Sequence, residues 1–197
     1  EKLQEIVREV QNLSELDHPN IIGFYDFFHD EEKIYIVLEY APGGDLIGII
    51  PDHEFGEEPL SEDRISLIFL QILMAVTECH KNYIVHRDIK LDNIVFGTDN
   101  VIKLIDFGCS VKCYPGQFIA EPLCGTRDYL APEIIGPSGQ YDSRVDIWAL
   151  GVVLYELITG ESPFSGETPD ETRYLISTNQ YEIHEKLHGT FYHIIRK

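Results

Sequence analysis

A chain of 197 residues with 34 acidic against 15 basic side chains carries a formal net charge of −19. That balance argues against non-specific nucleic-acid binding, which needs clustered Lys and Arg to displace counterions, and it suits basic partners or substrates. The length allows one large domain or two small lobes with a real core. No apolar run could span a bilayer and no basic-then-apolar leader is seen, so a soluble, intracellular globular protein is expected.

In chain order, Leu3, Ile6, Val7, Val10, Leu13 and Leu16 recur at helical spacing, predicting a helix over 3–16 that Pro19 closes. IIGFYDFF and KIYIVLEY read as two strands joined by the acidic turn HDEE, and APGG then breaks the chain. The clearest helix runs from Ser61 to His80, with Ile65, Ile68, Phe69, Ile72, Leu73 and Val76 on one stripe and acids at its positive N-terminal end. NIVF and VIKLIDF form a short hairpin around GTDN. From Cys109 to Leu130 no period is sustained, which predicts a long ordered loop. Residues 145–158 are apolar nearly all round and predict a helix buried in the core. Two weaker helical patterns follow Glu161. Cys79, Cys109, Cys113 and Cys124 lack metal or redox-pair spacing and are expected as free thiols of a reducing compartment.

Four separated motifs stand out: HRDIKLDN (86–93), DFG (106–108), GTRDYLAPE (125–133) and DIWALG (146–151). In this order and spacing the set resembles the eukaryotic Ser/Thr protein kinases over essentially the whole chain. YDFFHDEEKIYIVLEYAPGG, DFGCSV and LCGTRDYLAPE look most like Aurora-type members, with Polo-like and calcium/calmodulin-type members behind. The resemblance implies an α+β, protein kinase-like two-lobe fold. Residues 1–40 would be a partial N-lobe (helix C, two strands and hinge) and 41–197 a mainly helical C-lobe lacking its final helices.

The activity so implied is transfer of a phosphoryl group from ATP, with Mg²⁺, to Ser or Thr hydroxyls of protein substrates. Asp88 would accept the proton of the substrate hydroxyl. Lys90 would stand beside the migrating phosphoryl, and Thr126 would bond both and line the acceptor site. Asn93 and Asp106 would supply hard oxygen ligands for the metal. On the nucleotide side, Leu38 matches the gatekeeper, the backbone of Glu39 and Ala41 would meet the adenine edge, and Leu46 and Val95 would join the apolar stack or simply the core. Asp45 matches a residue that reaches the ribose. Asp45 and Asp92 together suggest arginine upstream of the acceptor, while reading equally as solvated surface acids.

Structural roles are implied for Glu9 (partner of a strand lysine), His86 (packed beneath Phe107), Asp146 (holding the catalytic loop) and Glu133 (partner of an arginine beyond Lys197). Leu13 and Phe24 would continue an apolar spine. Two departures matter. The glycine-rich loop and strand lysine do not precede Glu9, so residues 1–197 alone are expected to transfer phosphate weakly or not at all. Pro122 occupies the usual phosphothreonine position, so Glu121 is expected to partner Arg87 in its place. The alternative reading is a pseudokinase, a binding module on the same fold without turnover.

Overall fold

The computed structural model describes residues 2–50, 59–184, 187 and 189–195. The helical period at the start of the chain becomes α1 (Lys2–Ser14), shorter than expected. It ends well before Pro19, where the Ser14 hydroxyl turns back to the Gln11 carbonyl at 2.9 Å and the chain tightens through a Leu16 N–H to Leu13 carbonyl bond. The antiparallel hairpin β1 (Phe24–His29) and β2 (Ile34–Leu38) follows. Asp30 closes its turn, since one carboxylate oxygen accepts both the Glu32 and Lys33 N–H groups at 2.8 Å.

α2 (Glu62–Lys81) begins at Ser61, whose hydroxyl accepts the Arg64 N–H at 3.3 Å. Glu62 and Asp63 sit at its positive end and His80 and Lys81 at its negative end. Its apolar stripe packs on α4 (Arg144–Thr159), which is buried nearly all round and stops at Gly160 in the left-handed region. Between these helices lie three short strands: β3 (Ile84–Val85), β4 (Ile94–Phe96) and β5 (Ile102–Leu104). β4 and β5 form the expected antiparallel hairpin, turned by Asp99 and Asn100 at positive φ. The expected loop after Cys109 contains one more strand, β6 (Val111–Lys112), paired with β3, and a 3₁₀ turn at Arg127–Tyr129. Two-residue strands carry no period that a sequence could show. α3 (Pro132–Ile135), α5 (Pro169–Thr178) and α6 (Gly189–Ile195) complete the mixed helix-and-strand architecture.

Among the described residues a main apolar core is flanked by two smaller clusters, one around Val85, Val111, Ile119 and Tyr141 and one around Val152, Phe164 and Ile176. In the main core, Leu13, Leu16 and Ile21 join Ile72, Ala75 and Val76 of α2, Ile94 and Leu104 of the hairpin, and Val153 and Leu154 of α4. Each leucine, isoleucine and valine of this set contributes about 1.5–3 kcal/mol by leaving water. No helix among the described residues is long and apolar enough to cross a membrane.

The cysteines depart from expectation. Cys109 and Cys124 are joined in a disulfide with Cα atoms 5.8 Å apart, while Cys79 and Cys113 are free. Spacing along the chain does not reveal which cysteines meet; here the turn of the 109–130 segment brings them within bridging range.

Candidate active site

The segment 86–93 is held from beneath by one carboxylate. Asp146, fully buried near the start of α4, accepts the His86 N–H and Arg87 N–H, one on each oxygen, at 2.9 Å. A third partner, His80 Nε2, lies 2.7 Å away. These bonds hold Arg87 at φ 68, a conformation that costs about 1–3 kcal/mol for a residue with a side chain. His86 is buried with its ring edge-on to Phe107 at 4.8 Å. Its Nδ1 accepts the Asp88 N–H and its Nε2 faces the Ile105 carbonyl, the pattern of a neutral ring. Burial pushes its pKa below the ordinary histidine value despite the pull of Asp146.

Above this support stands a polar cluster. Thr126 donates both its N–H (2.8 Å) and its hydroxyl (2.9 Å) to one oxygen of Asp88. Lys90 Nζ donates to the Thr126 hydroxyl at 2.7 Å and lies 3.1 Å from the other Asp88 oxygen. That second oxygen also accepts Asn93 Nδ2 at 2.9 Å. Burial works to raise the Asp88 pKa, but hydrogen bonds from Lys90 and Thr126, with the lysine charge, outweigh it and hold the carboxyl below its ordinary value. Asp88 is therefore an ionised acceptor at neutral pH.

Asp106 sits exposed at φ 61, with one oxygen accepting the Gly108 N–H at 3.2 Å. Glu9 of α1 approaches from the other side: a Cβ added at Gly108 would lie 3.2 Å from Asp106 Oδ1 and 3.8 Å from Glu9 Oε2. Burial, reinforced by the Asp106 charge, raises the Glu9 pKa. The Asp106 carboxylate and the Asn93 amide oxygen fit Mg²⁺, which usually takes one or two protein ligands and fills its shell with waters and phosphates. Among the described residues no cluster of three His, Cys, Asp or Glu side chains could enclose an ion.

On the nucleotide side, Leu38 ends β2 and remains partly exposed. The Glu39 N–H is engaged by the Gly23 carbonyl at 2.7 Å, and its carboxylate takes Lys103 Nζ at 2.7 Å and the Gly23 N–H at 3.0 Å. Burial opposes ionisation of Glu39, yet these partners keep its pKa low. Ala41 and Val95 are half-buried. Asp45 bridges Val95 through the backbone and caps the Gly48 N–H at 3.1 Å. Leu46 has no exposed surface and belongs to the core rather than to an open ring-binding face.

One expected contact differs. Glu121 does not meet Arg87. The Arg87 guanidinium is buried against the Cys109 carbonyl and the Tyr141 hydroxyl. Glu121 lies outside on the surface and pairs with Arg8 of α1 at 3.2 Å. Glu133 lines a groove of about 390 Å³ with Arg144, Trp148 and Ile194, and the buried Trp148 Nε1 there makes no hydrogen bond to any of the described residues.

The structure also brings forward Glu156, which the sequence reading passed over. It is a mostly buried carboxylate on α4 that accepts the Tyr129 hydroxyl at 2.7 Å. Burial first, then the charges of Asp128 and Asp92, raise its pKa to about 7 against the relief of that hydrogen bond. The available signal was the single acid in the otherwise uncharged stretch from Ile147 to Ile158.

Comparison with known proteins places this geometry. The protein kinase domain family matches residues 1–195. Aurora kinase C of Mus musculus is 39% identical over 84% of the chain and 57% of its own length. An Aurora kinase of Saccharomyces cerevisiae is 42% identical over 84% of the chain and 43% of its length. Aurora kinase A-A of Xenopus laevis is 39% identical over 89% of the chain and 41% of its length. The chain thus spans about half the length of these curated relatives. With HRDIKLDN, DFG and GTRDYLAPE in order along it, the chain belongs to the protein kinase family and is Aurora-like within it.

Proposed function

We propose that the protein containing this chain transfers phosphoryl groups from ATP to serine or threonine hydroxyls of protein substrates inside the cell. The observation that carries this reading is the Asp88–Thr126–Lys90 cluster, closed by bonds of 2.7–2.9 Å. Asp88 is held ionised and takes the proton of the incoming hydroxyl as it attacks. Lys90 keeps its ammonium beside the oxygens being transferred. Thr126 fixes the Asp88 carboxylate and borders the acceptor. Mg²⁺, held by Asp106 and Asn93, would neutralise charge on the phosphates of the bound nucleotide. Leu38, Glu39, Ala41 and Val95 would frame the adenine, and Asp45 the ribose.

Substrates would carry arginine upstream of the acceptor. Asp92 is exposed beside the raised-pKa carboxyl of Glu156 and near Asp128, and no cation is paired with Asp92 or Glu156 among the described residues. A guanidinium would relieve that repulsion with paired hydrogen bonds.

The test uses the full-length protein with Mg²⁺ and ATP on paired Ser peptides, with Arg or Ala upstream of the acceptor. Phosphopeptide should form, faster with Arg, and Asp88→Asn should lower kcat by about 10²–10⁴ while the circular dichroism spectrum is kept. No phosphopeptide from the wild type would overturn the kinase reading. Equal rates on the two peptides would remove the arginine preference alone.

A further inference from the structure

The Cys109–Cys124 bridge joins the two stretches of backbone that pack on either side of Arg87. Cys109 directly follows the DFG motif, and its carbonyl accepts Arg87 Nε. Cys124 directly precedes Gly125, which holds φ +108 and packs so closely that an added Cβ would lie 2.5 Å from the Arg87 carbonyl oxygen. The next residue is Thr126, doubly bonded to Asp88. One sulfur–sulfur bond therefore sets the distance between the metal-side loop and the acceptor-side loop.

The start of the chain between them is anchored by β6, paired with β3, and by the Lys112–Glu15 ion pair. Beyond Cys113 the hold is lighter: Tyr114, Phe118 and Leu123 are exposed, and the stretch is pinned by the Tyr114–Tyr83 ring contact, the buried Ile119 with its backbone pair to Tyr141, and the surface Arg8–Glu121 ion pair. From Val111 to Gly125 there is no serine or threonine, so phosphorylation of such a hydroxyl cannot order this stretch. Both bridged cysteines are half-buried, within reach of small reagents, whereas Cys79 is sealed in the core and burial raises its thiol pKa. A bridge in an intracellular protein is usually transient and redox-sensing rather than structural.

We propose that Cys109 and Cys124 form a reversible redox latch, in which the disulfide holds Thr126 against Asp88 and reduction to two thiols releases the 114–123 segment. A hydroperoxide is the oxidant. One cysteine thiolate attacks the peroxide oxygen, giving a sulfenic acid and water or an alcohol as leaving group. The second thiol attacks that sulfur and expels a second water, so two electrons pass to the peroxide and two thiol hydrogens leave in the products. Two equivalents of a thiol such as glutathione reverse the step through a mixed disulfide. The effect on phosphoryl transfer rests on the kinase reading above; the latch itself does not.

The experiment takes full-length protein treated with hydrogen peroxide or with dithiothreitol, alongside Cys109→Ser and Cys124→Ser variants. Peptide mapping should find Cys109 linked to Cys124 after peroxide. Chymotryptic cleavage after Phe118 and Leu123, read on reducing gels, should be at least about tenfold slower in the bridged form, because closing the loop removes much of its open ensemble. The KM for a Ser peptide should fall several-fold on oxidation, and neither Ser variant should respond. A bridge to Cys113, or cleavage rates that ignore the redox state, would overturn the latch, as would oxidation that weakens transfer. Loss of transfer in both states, with mapping and cleavage as expected, would support the latch and remove the kinase reading instead.

Discussion

Asp146 shows how one side chain can decide the shape of a site that it never enters. It is fully buried and serves two backbone N–H donors and the His80 ring. Replacing it with Ala leaves the His86 and Arg87 N–H groups orphaned in the core and removes the anion that holds Arg87 in its left-handed conformation. Asp146→Ala should therefore destabilise by about 3–5 kcal/mol, as for breaking a buried charged network. His80→Ala removes only a partner whose side chain is 22% exposed, and water can replace it, so about 1 kcal/mol is expected. Urea unfolding of the two variants separates these outcomes, and equal losses would show that Asp146 is not the organising acceptor. At this scale the sequence was legible wherever motif and chemistry coincide, as at Asp88, Lys90 and Thr126. It was silent where a contact depends on how distant loops settle. Glu121 is adjacent in the chain to the expected phosphate position, yet it turns outward to Arg8 while carbonyl and hydroxyl oxygens take Arg87.

Among the elements, the strip after β2 depends on close backbone approach. Gly43 donates its N–H to the Phe96 carbonyl at 2.8 Å, and Gly44 returns its carbonyl to the Phe96 N–H at 2.8 Å. A Cβ at Gly43 would fall 2.5 Å from Phe96 Cβ and 2.9 Å from the Phe96 carbonyl oxygen, both far inside contact distance. Gly43→Ala should push the strip off β4, cost about 1–3 kcal/mol and raise the KM for ATP, because Glu39, Ala41 and Asp45 move with it. Gly44→Ala meets no neighbour but must hold φ +75, so about 1 kcal/mol without a change in KM is expected. Thermal melts with and without nucleotide would distinguish the pair; matching KM values for both variants would defeat the argument. α2 was readable because burial of one face imposes a repeat on the sequence, α4 because burial all round imposes an unbroken apolar run, and the β4–β5 hairpin because two apolar runs flank the turn residues GTDN. The β3–β6 pair and the disulfide were not, since each is a meeting of short segments whose approach is decided by the rest of the fold.

For the whole molecule, the excess of acids becomes a dependence of stability on pH. Glu156 has a folded pKa raised to about 7 from an ordinary 4.5, by burial and by Asp128 and Asp92. The native state then binds a proton more tightly than the unfolded chain, so stability falls as pH rises from 4.5 to 7 and the whole penalty, about 3 kcal/mol, is present above that range. Glu9, raised by burial and by Asp106, acts in the same direction. Asp88 acts oppositely: its lowered pKa gives stability above the ordinary value of 3.8 that is lost as pH falls through its folded value. His86, buried neutral, also loses stability as pH falls below 6.5. A single stability profile mixes these slopes, whereas a difference between variants separates them. Glu156→Gln can keep an acceptor for the Tyr129 hydroxyl and carries no charge, leaving the other groups to cancel. Its stability relative to wild type should grow by about 2.5 kcal/mol between pH 5 and pH 8 in denaturant titrations. A constant difference across that range would show that Glu156 is not the strained acid of the cluster. The same substitution should remove the preference for upstream arginine, because the carboxylate that costs stability at neutral pH is the one proposed to attract the substrate's guanidinium.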